Sequence, residues 1–210
     1  MTVERRDNYR LQAQQAKQRF LSYDQKQLIE KFHLPWDEEY LYVHFLGEPY
    51  RICRTTGDMA FQRQGRWLDG NSYEEVMTLL DLLCDSSPDR HPAYDWKSME
   101  AFGGHVHRRL LEEEDPWAKR FGEDLPGFCQ ACRSLGGQPL PQGDGAFALE
   151  VFDGLLVAVQ LWLGDQEFPS RLRILWDANA LQYLKYETMY FAKALILEKI
   201  MEKMEERTPG

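Results

Sequence analysis

Three stretches of the chain hold residue types able to do chemistry. The first is an acidic corner, Gly164-Asp165-Gln166-Glu167-Phe168-Pro169, with Asp177 a short way on. Asp165, Glu167 and Asp177 offer oxygen ligands for a divalent cation, or a carboxylate pair for acid–base work. No spacing fixes a distance between them. The plainer reading is a polar hairpin loop, with Asp177 capping the helix that follows. The second is Gly103-Gly104-His105-Val106-His107-Arg108-Arg109. A glycine pair ahead of a helix lets backbone N–H groups approach an anion. His105 and Arg108 lie one helical turn apart and are able to face one ligand. His105 and His107, two apart, suit metal ligation on a strand better than on a helix. The phosphate-loop pattern GxxxxGK[ST] is absent, and the plainer reading is a helix start with an exposed basic face.

The third is Cys129-Gln130-Ala131-Cys132. A thioredoxin-like site needs this pair to open a helix directly after a strand, and Gly127-Phe128 does not read as one. A zinc or iron–sulfur site needs two more ligands at suitable spacing, and Cys53 and Cys84 are isolated in sequence. Two cysteines on one helix face is the simpler account. The nucleophile elbow, the zinc-protease HExxH and the dinucleotide-binding glycine fingerprint are all absent. The sequence therefore names no reaction and no cofactor, and it leaves open whether the chain is an enzyme.

The elements that must position these residues read clearly. The 210 residues are 43% hydrophobic and 13% aromatic, enough for a real core. A net charge of −9 disfavours nucleic acid and anionic membranes as partners. No run of about 18 apolar residues exists to span a bilayer. The charged start, with no apolar stretch behind it, predicts no signal peptide, hence a cytoplasmic location with reduced thiols.

Residues 4–33 are expected to be helical, with Tyr9, Ala13, Ala16 and Phe20 at helical spacing and Pro35 closing the segment. A meander is expected over 39–64, where Leu41, Val43 and Phe45 alternate with Tyr40, Tyr42 and His44 and Gly47-Glu48-Pro49 turns the chain. Ser72 with Glu75 predicts a capping box for a helix through Cys84. Residues 85–97 read as an irregular loop, the middle of the chain to 135 as helical, and 136–145 as a loop. A second meander follows over 147–176. In it Asp153-Gly154 makes a tight hairpin, and residues 155–162, apolar on both faces, form a central strand covered on both sides. Helices over 178–205 close the chain, and Tyr183, Tyr186, Tyr190 and Phe191 read as core packing. The expected fold is a single α+β domain over 1–210, mainly antiparallel sheet with helices; whether the two meanders join in one sheet is left open.

Several of these residues also form a recognisable set. Phe102-Gly103-Gly104 with Arg108 or Arg109 is one part. Leu135-Gly136-Gly137 before Gly143-Asp144 is another. Trp162-x-Gly164-Asp165-x-Glu167-Phe168-Pro169, then Leu175-x-Asp177, then Tyr183-Leu184-x-x-Glu187 is the most specific, and Phe45-Leu46-Gly47-x-x-Tyr50 accompanies it. Together they resemble the bacterial and archaeal domain-of-unknown-function family numbered 3786, over roughly residues 8–197. Relatives there typically come from anaerobes, and some stand beside iron–sulfur or corrinoid-related proteins. The resemblance implies a cytoplasmic accessory or binding role in anaerobic metabolism.

Three functions compete. A binding module would take a small anionic ligand at Gly103, Gly104, His105 and Arg108 on one side and Asp165, Glu167 and Asp177 on the other. An interaction subunit would use some of the six tryptophans and ten tyrosines to hold a partner protein. A metal-dependent enzyme would use the Asp165/Glu167/Asp177 corner. The binding module ranks first and the enzyme last, and the oligomeric state is left open.

Overall fold

The computed structural model describes residues 3–103 and 115–206, with side chains from Asn8 onward. The fold is α+β: six α-helices and two antiparallel sheets among the described residues. The chain divides into two compact units, residues 1–90 with 182–192, and residues 91–181 with 193–210. The meanders form two separate sheets.

The first unit opens with helix α1, Val3–Ser22, and α2, Gln25–Phe32. Asp24 starts α2 by accepting the Lys26 N–H at 2.9 Å. His33, left-handed at φ 51°, ends it two residues before the proline expected to do so. Strands β1 (Tyr40–Phe45), β2 (Glu48–Cys53), β3 (Met59–Arg63) and β4 (Arg66–Asp69) then pair in sequence order. Leu41, Val43, Phe45, Tyr50, Ile52, Met59 and Phe61 are buried on one side of the sheet.

Leu46 and Gly47 make the first turn, both at positive φ, so Glu48 and Pro49 already belong to β2 and not to the turn. A leucine there opposes its backbone preference by about 1–2 kcal/mol. Leu46 is only 1% exposed, and burying it is worth about as much. Gln64 and Gly65 repeat the two-residue turn and create β4, which residue pattern alone did not reveal.

Helix α3, Tyr73–Asp85, begins with the expected capping box between Ser72 and Glu75. Glu75 is buried and also accepts the Tyr50 hydroxyl at 2.9 Å, tying the helix start to β2. Helix α1 packs along α3, and Arg19 reaches Asp81 and Asp85 there.

The second unit is built on the five-stranded sheet β5-β9-β8-β7-β6. Its strands are β5 (Trp96–Lys97), β6 (Gln138–Pro139), β7 (Gly145–Phe152), β8 (Leu155–Trp162) and β9 (Arg171–Asp177). The short edge strands β5 and β6 lie inside segments expected to be loops. Asp153 and Gly154, both at positive φ, close the β7–β8 hairpin. β8 is the middle strand and is buried along nearly its whole length, as its two apolar faces require.

Helices α4 (Pro116–Glu123) and α5 (Leu125–Ser134) lie on this sheet. Phe121, Phe128 and Phe147 pass the contact from helix to strand, with ring centroids 5.2 and 6.2 Å apart. After β9 the chain makes a short 3-10 turn, Ala180–Gln182, where a longer helix was expected. Helix α6, Tyr186–Glu205, ends the described chain. Of the aromatic stripe, Tyr183 is fully buried, but Tyr190 is 37% exposed and its hydroxyl meets that of Tyr186 at 2.8 Å.

Candidate functional site

The outer face of the first sheet gathers half-buried aromatic and ionisable side chains. Strand alternation puts Tyr40 and Tyr42 of β1, Arg51 and Cys53 of β2, Ala60 of β3 and Trp67 of β4 on the side away from the core. Register then brings them together. Tyr40 stands opposite Cys53, Tyr42 opposite Arg51, and Arg51 opposite Ala60. Ala60 is small, and a hollow of about 320 Å3 opens beside it. Tyr40, Arg51, Cys53, Thr56, Asp58 and Met59 form the rest of its wall. That volume is at the small end of ligand sites.

Arg51 dominates the hollow. Its guanidinium carbon lies 4.5 Å from the Tyr40 ring centroid and 4.6 Å from that of Trp67. Two aromatic faces hold the planar group, which leaves its N–H edge as the route for a partner. Its Nε is buried and makes no hydrogen bond among the described residues. The acid in the hollow is already committed. Asp58 accepts Lys17 Nζ at 2.6 Å and the Thr56 hydroxyl at 2.8 Å, and these bonds hold its carboxyl below the usual range. On the neighbouring rim Asp37 is likewise held low, first by the Tyr42 hydroxyl at 2.6 Å and then by the backbone N–H groups of Tyr40 and Glu39.

Cys53 lies half-buried in the same wall. Burial alone would disfavour its thiolate, but bonds from Thr55 and Thr56 together outweigh it. Its thiol therefore ionises more readily than an ordinary one, with Sγ 3.3 Å from the Thr55 hydroxyl.

The residues singled out by sequence are placed differently. Gly104, His105 and Arg108, with His107 and Arg109, lie outside the described residues. Gly103 closes the 3-10 turn Met99–Phe102 at φ 115°. Asp165 and Glu167 are both exposed. The Asp165 carboxylate accepts the backbone N–H groups of Glu167 and Phe168, each at 2.8 Å.

Asp177 is 1% exposed and faces the opposite way in role. It accepts the N–H of Ala93 at 2.9 Å, of Tyr94 at 2.6 Å and of Asn179 at 3.0 Å. It caps the turn after β9, as the plainer reading has it, and also fastens the 93–94 segment beside β5. β9 separates Asp165 from Asp177, so the two sit at opposite ends of that strand, roughly 20 Å apart. The structure does not bring the acidic residues together. Among the described residues no group of three or more His, Cys, Asp and Glu is placed to hold a metal ion.

Cys129 and Cys132 share a face of α5. Burial pushes both thiols up, Cys132 the more strongly. Such thiols are poor nucleophiles. Among the described residues no helix is long and apolar enough to cross a membrane.

One comparison with known proteins decides the family. The family model described as "Domain of unknown function (DUF3786)" matches residues 24–199. The chain belongs to that family, as the resemblance implied. The matched span includes the whole of the first sheet, with Tyr40, Arg51, Cys53 and Trp67, and the whole of the second. No curated protein and no solved structure matches the chain.

The Arg51 hollow escaped the sequence reading, although a signal for it was present. In residues 40–53 the alternation that buries Leu41, Val43, Tyr50 and Ile52 places Tyr40, Tyr42, Arg51 and Cys53 together on the other face.

Proposed function

We propose that this chain is an accessory binding module for a small anion, held by Arg51 on the outer face of its first sheet. One observation carries the reading. Arg51 is clamped between Tyr40 and Trp67, and among the described residues no acidic side chain pairs with it. An arginine without a carboxylate partner, fixed by stacking, is preorganised for a carboxylate, phosphate or sulfate that approaches in the plane of its N–H groups. Met59 and Ala60 supply an apolar wall beside it. The fitting ligand is an oxyanion on a small apolar body. A role in anaerobic metabolism, implied by the family resemblance, is compatible with such a ligand.

The test uses inorganic phosphate, sulfate, benzoate and adenosine monophosphate as probes, titrated into the full chain by calorimetry. At least one is expected to bind saturably to the wild type and at least about tenfold more weakly to Arg51→Met, which keeps the apolar stem and removes the donors. Equal binding by both proteins, or binding of none of the probes, would sink the reading.

A further inference from the structure

The register of the first sheet places a second charge across from Arg51. Arg51 pairs with Ala60 between β2 and β3, and Ala60 pairs with Asp69 between β3 and β4. Paired residues share a sheet face, so the three form one row on the outer face, with a step of about 5 Å from strand to strand. Ala60 sets only a methyl group between a guanidinium and a carboxylate. A second observation brings Asp69 to the same hollow. Its carboxylate accepts an N–H of the Asn71 side-chain amide at 2.7 Å. That amide also donates to the carbonyl of Met59, in the wall of the hollow, at 2.9 Å.

The two charges flank one gap and do not meet across it. Among the described residues Asp69 has no cationic partner and Arg51 no carboxylate. The other charges nearby cancel or lie elsewhere. Lys17 of α1 neutralises Asp58 at 2.6 Å. At the β1 margin Glu39 holds the Tyr40 hydroxyl and Asp37 the Tyr42 hydroxyl, with Arg54 bonded to the Asp37 carbonyl at 2.7 Å. His44 stands at the far end of β1, opposite Pro49. Alternation puts Arg63 and Arg66 on the other face of the sheet.

A bare anion would be drawn by Arg51 and repelled by Asp69. A ligand with an ammonium group beside its carboxylate turns that repulsion into attraction. An ammonium brings three donors, and Asp69 is exposed with one carboxylate oxygen unused by Asn71. The Tyr40 and Trp67 rings already stack on Arg51, which leaves Asp69 as the partner for a cation. We infer that the hollow selects a small amino acid, its carboxylate on Arg51 and its ammonium on Asp69. This rests on the anion reading of Arg51 and narrows it.

The test pairs amino acids with acids that lack only the amine: glycine with acetate, β-alanine with propionate, γ-aminobutyrate with butyrate. Each is titrated by calorimetry into the full chain at neutral pH. At least one amino acid is expected to bind at least about threefold more tightly than its partner acid, the scale of a solvent-facing charge pair. Asp69→Asn keeps an oxygen for Asn71 and should keep the wild-type melting temperature. It should remove the preference for the amine without weakening the acid. Arg51→Met should abolish binding of both. Arg51-dependent binding of the acids, phosphate or benzoate, with no gain from any amine, would overturn the inference and leave the Arg51 reading standing. A gain that survives in Asp69→Asn would do the same. Failure of every one of these probes to bind would overturn both.

Discussion

Arg51 and Trp67 meet across three strands: the guanidinium carbon of one, on β2, stands 4.6 Å from the ring centroid of the other, on β4. With Tyr40 on the opposite side the arginine is stacked twice, and both stacks depend on its flat shape. Arg51→Lys keeps the charge and loses the plane. It is expected to cost about 1 kcal/mol in urea unfolding, the scale of one or two half-exposed cation–π contacts. It should also weaken binding of whichever anion the wild type takes. Unchanged stability and unchanged affinity in the lysine variant would mean that the stacking is incidental.

The four cysteines should differ sharply in reactivity. Bonds from Thr55 and Thr56 favour the Cys53 thiolate, whereas burial raises the Cys84 thiol to about 11 and pushes Cys129 and Cys132 up as well. Thiolate is the reacting form, and its fraction rises as pH climbs through the thiol's pKa. Alkylation with iodoacetamide, followed peptide by peptide in mass spectrometry, should label Cys53 first, with a pH midpoint below the ordinary value of about 8.5. Thr55→Val combined with Thr56→Val should move that midpoint up. Labelling of Cys132 in step with Cys53 under native conditions would contradict this order.

Asp177 should matter to stability more than any other described acid of the second unit, since it alone among them is buried. Its buried carboxylate accepts backbone N–H groups from Ala93, Tyr94 and Asn179. Asp177→Ala leaves those donors without their acceptor, which is expected to cost about 3 kcal/mol or more by chemical denaturation. Asp177→Asn retains one oxygen and turns an amide group toward N–H donors, so it should recover only part of the loss. An alanine variant as stable as wild type would show that the 93–94 segment is held by other means.

What the sequence made legible follows the range of the interactions. The Ser72–Glu75 box, the Asp153-Gly154 hairpin and the doubly apolar β8 are local patterns, and each appears where the residues put it. β4 was hidden because Gln64-Gly65 is not a strong turn pair, although it adopts the same two positive-φ conformations. The role of Asp177 was half legible. Its bond to Asn179 is local, but its partners at 93 and 94 lie more than 80 residues away, with no motif to announce them. The Arg51 hollow needed the register of four strands, the last of them hidden, before Tyr40 and Trp67 closed on one side chain.

The Asp165 turn should respond to acid in a predictable direction. Backbone N–H groups of Glu167 and then Phe168 hold its carboxyl below the ordinary value, although it lies in solvent. A depressed folded-state value means that the bonds favour the charged form. Their ordering of the loop is fully present above the unfolded pKa of about 3.9 and is lost as pH falls through the lower, folded one. The Glu167 and Phe168 amide resonances, followed by NMR from neutral pH downward, should therefore move together with a midpoint below 3.9. Asp165→Asn should abolish that step and leave the rest of the spectrum in place. A midpoint at or above the ordinary aspartate value would mean that the turn does not hold the carboxylate.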